Sequence, residues 1–323
     1  MYHHHRLLTV IVVTVCTVAL SVPAPAEAQR VQAPQDVTLT LAATGDLMLA
    51  RTIGAALARD PTDSPFADVT DVLRSADVTV GNLECAMGSG GTPAHKAYTF
   101  LAPPAAAASL ADAGFDVLSL ATNHSMDYGP QTLSQTIQLL EAAGIRHAGA
   151  GLDEASAHRP VFMSIKGLRL AFLAYVNVPI EGDGFNTQSW EAKGDQPGVA
   201  WAEPGRIAAD VAAARRQADL VIVLLHSGYE GVQLPNDIQR ANAHAAIDAG
   251  AALVIGSHPH VLQGIEYYHG GVIAYSLGNF VFDGLMGTGR TAILRVTLGR
   301  EGVYAVEWVP VVLRAGRPQL VSR

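Results

Sequence analysis

Two cysteines in 323 residues cannot build a disulfide framework, and one of them, Cys16, lies in an N-terminal apolar run. Cleavage after that run leaves Cys85 alone, which excludes an internal disulfide in the processed chain despite an oxidising destination. Charge is sparse as well: 15% of residues are charged, the formal net charge is -8, and no Lys/Arg run occurs. A binder of duplex nucleic acid would need a basic patch, so that class is excluded. The apolar run at 7–22 falls short of the ~20 residues that span a bilayer. Stability must come from a core, and 49% hydrophobic residues can supply one.

The N-terminus accounts for the apolar run. A short polar start with one arginine, the run itself and Ala26-Glu27-Ala28 form the three parts of a signal peptide. Residues 1–28 are therefore expected to be removed, with the mature start near Gln29 and a polar, Pro-containing linker at 29–36. The protein is expected to be exported, periplasmic or extracellular, at the cell envelope or beyond it. The remaining about 295 residues suit one large α/β domain, placed at 37–316.

Along that domain, apolar runs alternate with helical patterns. Strands are expected at 37–43, 78–80, 117–121, 161–165, 168–176, 220–225 and 252–255. Helices are expected at 70–76, 103–113, 131–143, 207–217 and 238–249. Late hairpins follow, at 264–268 with 272–275 and at 292–298 with 303–310. Residues 179–203 carry Gly, Asp, Asn and Pro without periodicity and read as a long loop, a candidate lid. This alternation indicates an α/β fold with mixed sheets covered by helices.

The chemistry-bearing residues gather at strand ends. Asp46 ends the first strand, Asn82 and Glu84 the second, and Asn123 with His124 the third. His226 closes the 220–225 run, and His258-Pro259-His260 follows the 252–255 run. Ligand sites in α/β sheets lie at the carboxyl ends of strands. Proline biases His258 toward extended backbone, so both imidazoles of the pair are expected to point to one side. Oxygen and imidazole donors without a thiolate pair suit Mn²⁺, Zn²⁺ or Fe. Asp46, Glu84, Asn123, His226, His258 and His260 exceed the needs of one tetrahedral ion. They fit two divalent transition-metal ions bridged by a carboxylate, which would activate a water. His124 is the candidate general acid, with orientation of a neighbouring ligand as the alternative.

These residues, in order, resemble the bacterial CapA family. The resemblance rests on Gly45-Asp46-Leu47-Met48, Gly81-Asn82-Leu83-Glu84, the segment Ala121-Thr122-Asn123-His124-Ser125-Met126-Asp127-Tyr128-Gly129, and Gly149-Ala150-Gly151. It continues through His226-Ser227-Gly228-Tyr229-Glu230, Gly256-Ser257-His258-Pro259-His260-Val261-Leu262-Gln263-Gly264 and Tyr275-Ser276-Leu277-Gly278-Asn279-Phe280. The family is named for poly-γ-glutamate capsule biosynthesis. It implies a calcineurin-like metallophosphoesterase-type sandwich flanked by helices. It also implies roles: Asp46 on one metal, Glu84 bridging, Asn123 and His226 on the second, and His258 and His260 divided between them. Asn82 is a further candidate.

The chain departs from the pattern in three places. Met48 stands where the phosphoesterases have a histidine, Ser227 where CapA-like chains often have tryptophan, and Leu101 where arginine often follows a Tyr-x-Phe element. Lys96 is a candidate cation for an anionic substrate, although a solvated loop lysine is the preferred reading. The expected function is a metal-dependent hydrolase acting on an anionic envelope polymer or a phosphoester, with a capsule-synthesis membrane complex as partner. The alternatives are a non-catalytic polymer-binding accessory factor and an exported nucleotide phosphatase or phosphodiesterase. For the latter, Phe185, Trp190 and Trp201 are the available base clamp.

Overall fold

The computed structural model describes residues 37–284 and 289–321; the expected signal peptide and linker lie outside them. Two sheets are stacked face to face. The first runs in the order Arg317–Leu320, Gly302–Arg314, Arg290–Gly299, Thr38–Leu47, Val78–Leu83, Val117–Ser119, Arg146–Ala148. Its last four strands are parallel, and Asn279–Val281 adds a parallel pairing at the end of Thr38–Leu47. The second runs Ile265–Tyr268, Gly271–Ala274, Leu253–Ser257, Leu220–Ser227, Leu168–Asn177, Val161–Ile165, with a parallel centre and antiparallel edges. Arg317–Leu320 carries the first sheet beyond residue 316.

The unbroken apolar runs of the second sheet follow from burial on both faces. In Leu220–Ser227, Leu220, Ile222 and Leu224 enter the core between the sheets. Val221, Val223 and Leu225 enter the core under the helices Pro204–Arg215 and Asp237–Asp248. A strand with period-two side chains and two buried faces has no polar face to show, so alternation disappears from its sequence. The helices have readable ends: Pro204 starts one, Asn236 and Gln239 form a capping box on another, and Gly144 follows Pro130–Ala142 with φ 78°.

Besides the one-turn helix Glu154–Ala157, a longer one, Arg51–Arg59, is absent from the sequence expectation. Ala50 gives it no side-chain cap, and Arg51 enters at φ 49°. Asp283 supplies the cap from far along the chain, accepting the Thr52 N–H at 2.8 Å. The 179–203 segment is a loop with one short 3-10 turn, Thr187–Trp190, and a two-residue strand, Gly198–Val199. Among the described residues no helix is long and apolar enough to cross a membrane.

Candidate metal centre

The carboxyl ends of the central parallel strands of both sheets converge on one buried cluster. Two glycines allow it. A Cβ on Gly45 would lie 1.8 Å from the Gly278 carbonyl oxygen, and one on Gly256 would lie 1.9 Å from that of Tyr275. The 275–280 segment thus crosses directly over both strand ends, which no side chain at 45 or 256 permits. The crossing gives Asp46 N–H an acceptor in Gly278 (2.9 Å), and a register shift beside Asp46 re-aims its side chain.

Asp46 and Glu84 are both completely buried. The Asn82 amide stands between them, donating to Asp46 Oδ1 and to Glu84 Oε2 at 2.8 Å each. Among the described residues neither carboxylate is paired with a lysine or arginine. Burial, and then the neighbouring Asp46 charge, push the Glu84 carboxyl well above its usual range. His226 Nε2 lies 2.9 Å from Asn123 Oδ1 and 3.4 Å from Glu84 Oε1, while its Nδ1 lies 2.9 Å from Ser257 Oγ. His260 Nδ1 lies 3.1 Å from Asp46 Oδ2 and 2.8 Å from Asn279 Oδ1. The His258 ring packs 4.8 Å from that of His226.

Desolvation holds His226 and His258 neutral, well below their ordinary range, and the neighbouring imidazoles add to the effect. Burial acts the same way on His260, but the Asp46 hydrogen bond and charge outweigh it and raise that histidine. Neutral imidazole is the metal-binding form.

Does the cluster fit metal ions? Glu84 Oε1 and His258 Nδ1 are buried without any hydrogen-bond partner, a costly state for polar atoms that a cation removes. Donor atoms of Glu84, His226 and His258 lie within 4.8 Å of one another. Two adjacent buried carboxylates among neutral imidazoles and an amide oxygen form the donor set of a hard-to-borderline divalent ion. The residues fit.

His124 stands at the edge of this cluster. Its Nδ1 lies 2.7 Å from Asp127 Oδ2, its Nε2 faces Glu84 Oε1 at 3.9 Å, and its ring packs on Phe100 at 4.2 Å. Asp127 also accepts the Phe100 N–H at 2.7 Å, so the carboxylate that orients the imidazole is itself fixed. Beside the centre opens a cleft of about 410 Å3, lined by His258, Tyr229, Glu230, Ile238, Ile180 and Glu181 among others.

Asp46, Asn82, Glu84, Asn123, His124, His226, His258 and His260 thus come together as the strand-end reading expected. Two expectations are corrected. His258 is not extended: its φ is 94°, and that of His260 is 59°, so the pair converges through left-handed backbone rather than strand alternation. Such residues cost on the order of 1–3 kcal/mol each and persist where the surroundings hold them. Lys96 is neither solvated nor free for a substrate. Its side chain is fully buried, with Nζ 3.0 Å from Asp127 Oδ1 and 2.6 Å from Glu181 Oε1.

Asp127, Asn279 and Ser257 were not singled out from sequence. Asp127 had a usable signal, three residues after His124 on a turn, and Ser257 had one beside His258, where it pairs with His226 across adjacent strands; Asn279 touches the site only through the crossing of a distant segment. Phe185 and Trp190 pack over Lys96 at 5.5 and 5.1 Å, and Trp201 is core, so none of the three is a free clamp.

A two-sheet sandwich flanked by helices, with a carboxylate, amide and histidine centre at its strand ends, defines a calcineurin-like metallophosphoesterase-type fold. Solved structures agree on the fold. A hypothetical protein from Thermus thermophilus superposes with TM-score 0.51 at 15% identity, over 84% of this chain and 98% of that one. A putative 5'-nucleotidase from Staphylococcus aureus, solved with alpha-ketoglutarate, gives 0.50 at 14% identity over 86% and 55%.

The sequence model of the bacterial capsule synthesis protein family PGA_cap matches residues 40–284, and the chain belongs to that family. It is 32% identical to the PGA biosynthesis protein CapA of Bacillus subtilis, over 99% of this chain and 83% of the relative. It is also 32% identical to the capsule biosynthesis protein CapA of Bacillus anthracis, over 88% and 70%.

Proposed function

We propose that this protein is an exported, dinuclear metal-dependent hydrolase that serves capsule biosynthesis by acting on an anionic envelope polymer of the poly-γ-glutamate kind. Kinship with the Bacillus CapA proteins supports the capsule role. One observation carries the catalytic part. The buried, partly unsatisfied ligand cluster and an Asp127-oriented His124 stand together beside an open cleft.

Asp46, Glu84, Asn123, His226, His258 and His260 would hold the ions, Mn²⁺, Zn²⁺ or Fe. When bound, two such ions supply a water nucleophile at neutral pH and positive charge for an anionic substrate. The chain's own groups do the rest. Asp127 accepts the His124 Nδ1–H, which orients the ring and stabilises its imidazolium form, whose Nε2–H is then the proton donor to a leaving group at the cluster edge. Asn82 holds the Asp46 and Glu84 carboxylates in register by donating to both. Because Lys96 is ion-paired with Asp127 and Glu181, it offers no free charge to the cleft, whose wall also carries the exposed Glu230. The partner of such an enzyme is a membrane-bound capsule-synthesis assembly that produces or receives the polymer.

A second reading, a nucleotide phosphatase or phosphodiesterase, has one observation in its favour. Tyr229, 62% exposed on the cleft, offers a ring to a base. The deciding experiment is elemental mass spectrometry on the chain with His3, His4 and His5 replaced by alanine. It is followed by turnover of poly-γ-glutamate and of a nucleotide and phosphodiester panel. About two transition-metal ions per chain and cleavage of the polymer support the proposal. Turnover confined to nucleotides replaces it with the second reading. A folded, metal-free and inactive chain supports a polymer-binding accessory role instead.

A further inference from the structure

One acidic residue near the centre stands outside the ligand set described so far. Glu230 lies on the loop after Leu220–Ser227 and is exposed, yet its carboxylate faces the buried histidines. Ligand atoms of Glu230, His258 and His260 all lie within 4.8 Å of one another. Glu230 and His258 line the same cleft wall.

The placement is built into the main chain. Gly231 N–H donates to the Pro259 carbonyl at 2.8 Å, tying the residue after Glu230 to the one between the two histidines. On the far side of the loop, Gln263 Nε2 donates to the Val232 carbonyl at 2.8 Å, and Gln239 holds Gln263 in turn at 2.8 Å. Gly228 (φ 122°) and Gly231 (φ 74°) let the chain turn sharply on either side of Tyr229 and Glu230.

His258 belongs to two triads of donors: with Glu84 and His226 inward, and with Glu230 and His260 toward the cleft. The unpartnered atom of His258 is Nδ1, on a side chain more than nine-tenths buried. Met48, two residues after Asp46, adds no donor, because its Sδ accepts the Ala50 N–H at 3.3 Å. On the metal-centre reading of the preceding section, an ion on the cleft side that uses both His258 and His260 needs at least one more ligand.

We propose that Glu230 is that ligand: a carboxylate delivered from the exposed loop, which completes with His258 and His260 a two-histidine, one-carboxylate position for a divalent transition metal. This donor set, open on the remaining sides, suits Mn²⁺, Fe²⁺ or Zn²⁺ and leaves sites for water and substrate. Because Glu230 is the exposed member, the cleft-side ion is the exchangeable one of the two.

The test uses the full chain, so the N-terminal histidines are common to every sample. Zn²⁺ affinity is measured by titration calorimetry on metal-stripped protein. Co²⁺ absorption then reports coordination directly. Glu230→Gln is compared with wild type and with Glu301→Gln, an exposed acid on a distant hairpin. Loss of an orienting partner outside the ligand set typically costs 10–100-fold in metal affinity, so loss of a direct ligand should weaken the cleft-side ion on the order of 10²-fold. The inner ion, the unfolding midpoint of the stripped protein and the Glu301→Gln control should be unchanged. Two bound ions with unaltered affinities and Co²⁺ spectrum in Glu230→Gln overturn this inference and leave the metal-centre reading standing. A wild-type chain whose Zn²⁺ uptake disappears with His3, His4 and His5 overturns both.

Discussion

The ammonium of Lys96 lies 2.6 Å from the Glu181 carboxylate and 2.6 Å from the main-chain carbonyl of Asn123. A single buried cation therefore ties the loop that walls the cleft to a residue of the candidate metal centre. It also touches Asp127, which orients His124. Replacing it removes the counter-charge of two carboxylates at once. Lys96→Met should lower the free energy of unfolding by about 3–5 kcal/mol, the cost of stranding one partner of a buried pair. Denaturant unfolding measures this, and hydrogen exchange should show faster exchange through residues 179–190. A loss under about 1 kcal/mol would mean the pair behaves like a surface ion pair.

His124 should matter for rate and not for metal. His124→Asn is expected to lower kcat on the order of 10²–10⁴-fold, the usual contribution of a positioned general acid, with metal content unchanged. Asp127→Asn should act in the same direction through the tautomer of His124. The check is steady-state kinetics beside elemental analysis of the same samples. Metal loss in His124→Asn would make that residue a ligand instead.

The stripped protein should be most stable near pH 6.5. His226 and His258 are depressed below their ordinary 6.5, so in acid the unfolded chain takes up protons that the folded chain refuses, and stability falls below that value. Glu84 is raised above 4.5 and works in the opposite sense, so it offsets part of this loss. Above 6.5 the sign reverses. His260 and Glu84 are both raised, and the stability their folded-state protons supply is lost as pH climbs through their folded values. Added Zn²⁺ or Mn²⁺ needs Glu84 ionised and His260 neutral, so it should flatten the alkaline arm. Thermal unfolding across pH 5 to 9, with and without metal, reads both arms. A stripped protein whose stability rises steadily from pH 6.5 to 9 would contradict the assignment.

Cys85 should be inert in the native protein. Its thiol is buried, and that burial pushes it up to about 12. An aromatic disulfide reagent at pH 8 is expected to leave it unmodified until denaturant is added, and then to titrate it fully. Rapid native modification would show that the strand end bearing Glu84 opens locally.

Much of the centre was legible because an apolar β-run announces its own end. Asp46, Glu84, Asn123 and His226 each follow such a run, and in parallel sheets these ends share one side. Lys96 was misread because nothing local marks it as buried: its partners Asp127 and Glu181 and its covering rings Phe185 and Trp190 lie elsewhere in the chain. His258 joins the cluster, but not by the extended backbone expected of it. The proline rule describes the isolated dipeptide, whereas its φ of 94° is held by packed neighbours. The helix Arg51–Arg59 went unread because its cap, Asp283, is contributed by a segment far along the chain.

The sequence by itself determined the alternating elements, the two-faced burial of the central strands and the strand ends that carry candidate ligands. These depend on side-chain periodicity and on residues a few positions apart. Tertiary structure alone decided which atoms meet. It set the 275–280 crossing over Gly45 and Gly256, the sharing of Asp127 between His124 and Lys96, and the approach of Glu230 to His258 and His260. Those contacts join segments tens to hundreds of residues apart, and their geometry is set by close packing of whole sheets, which no local pattern encodes.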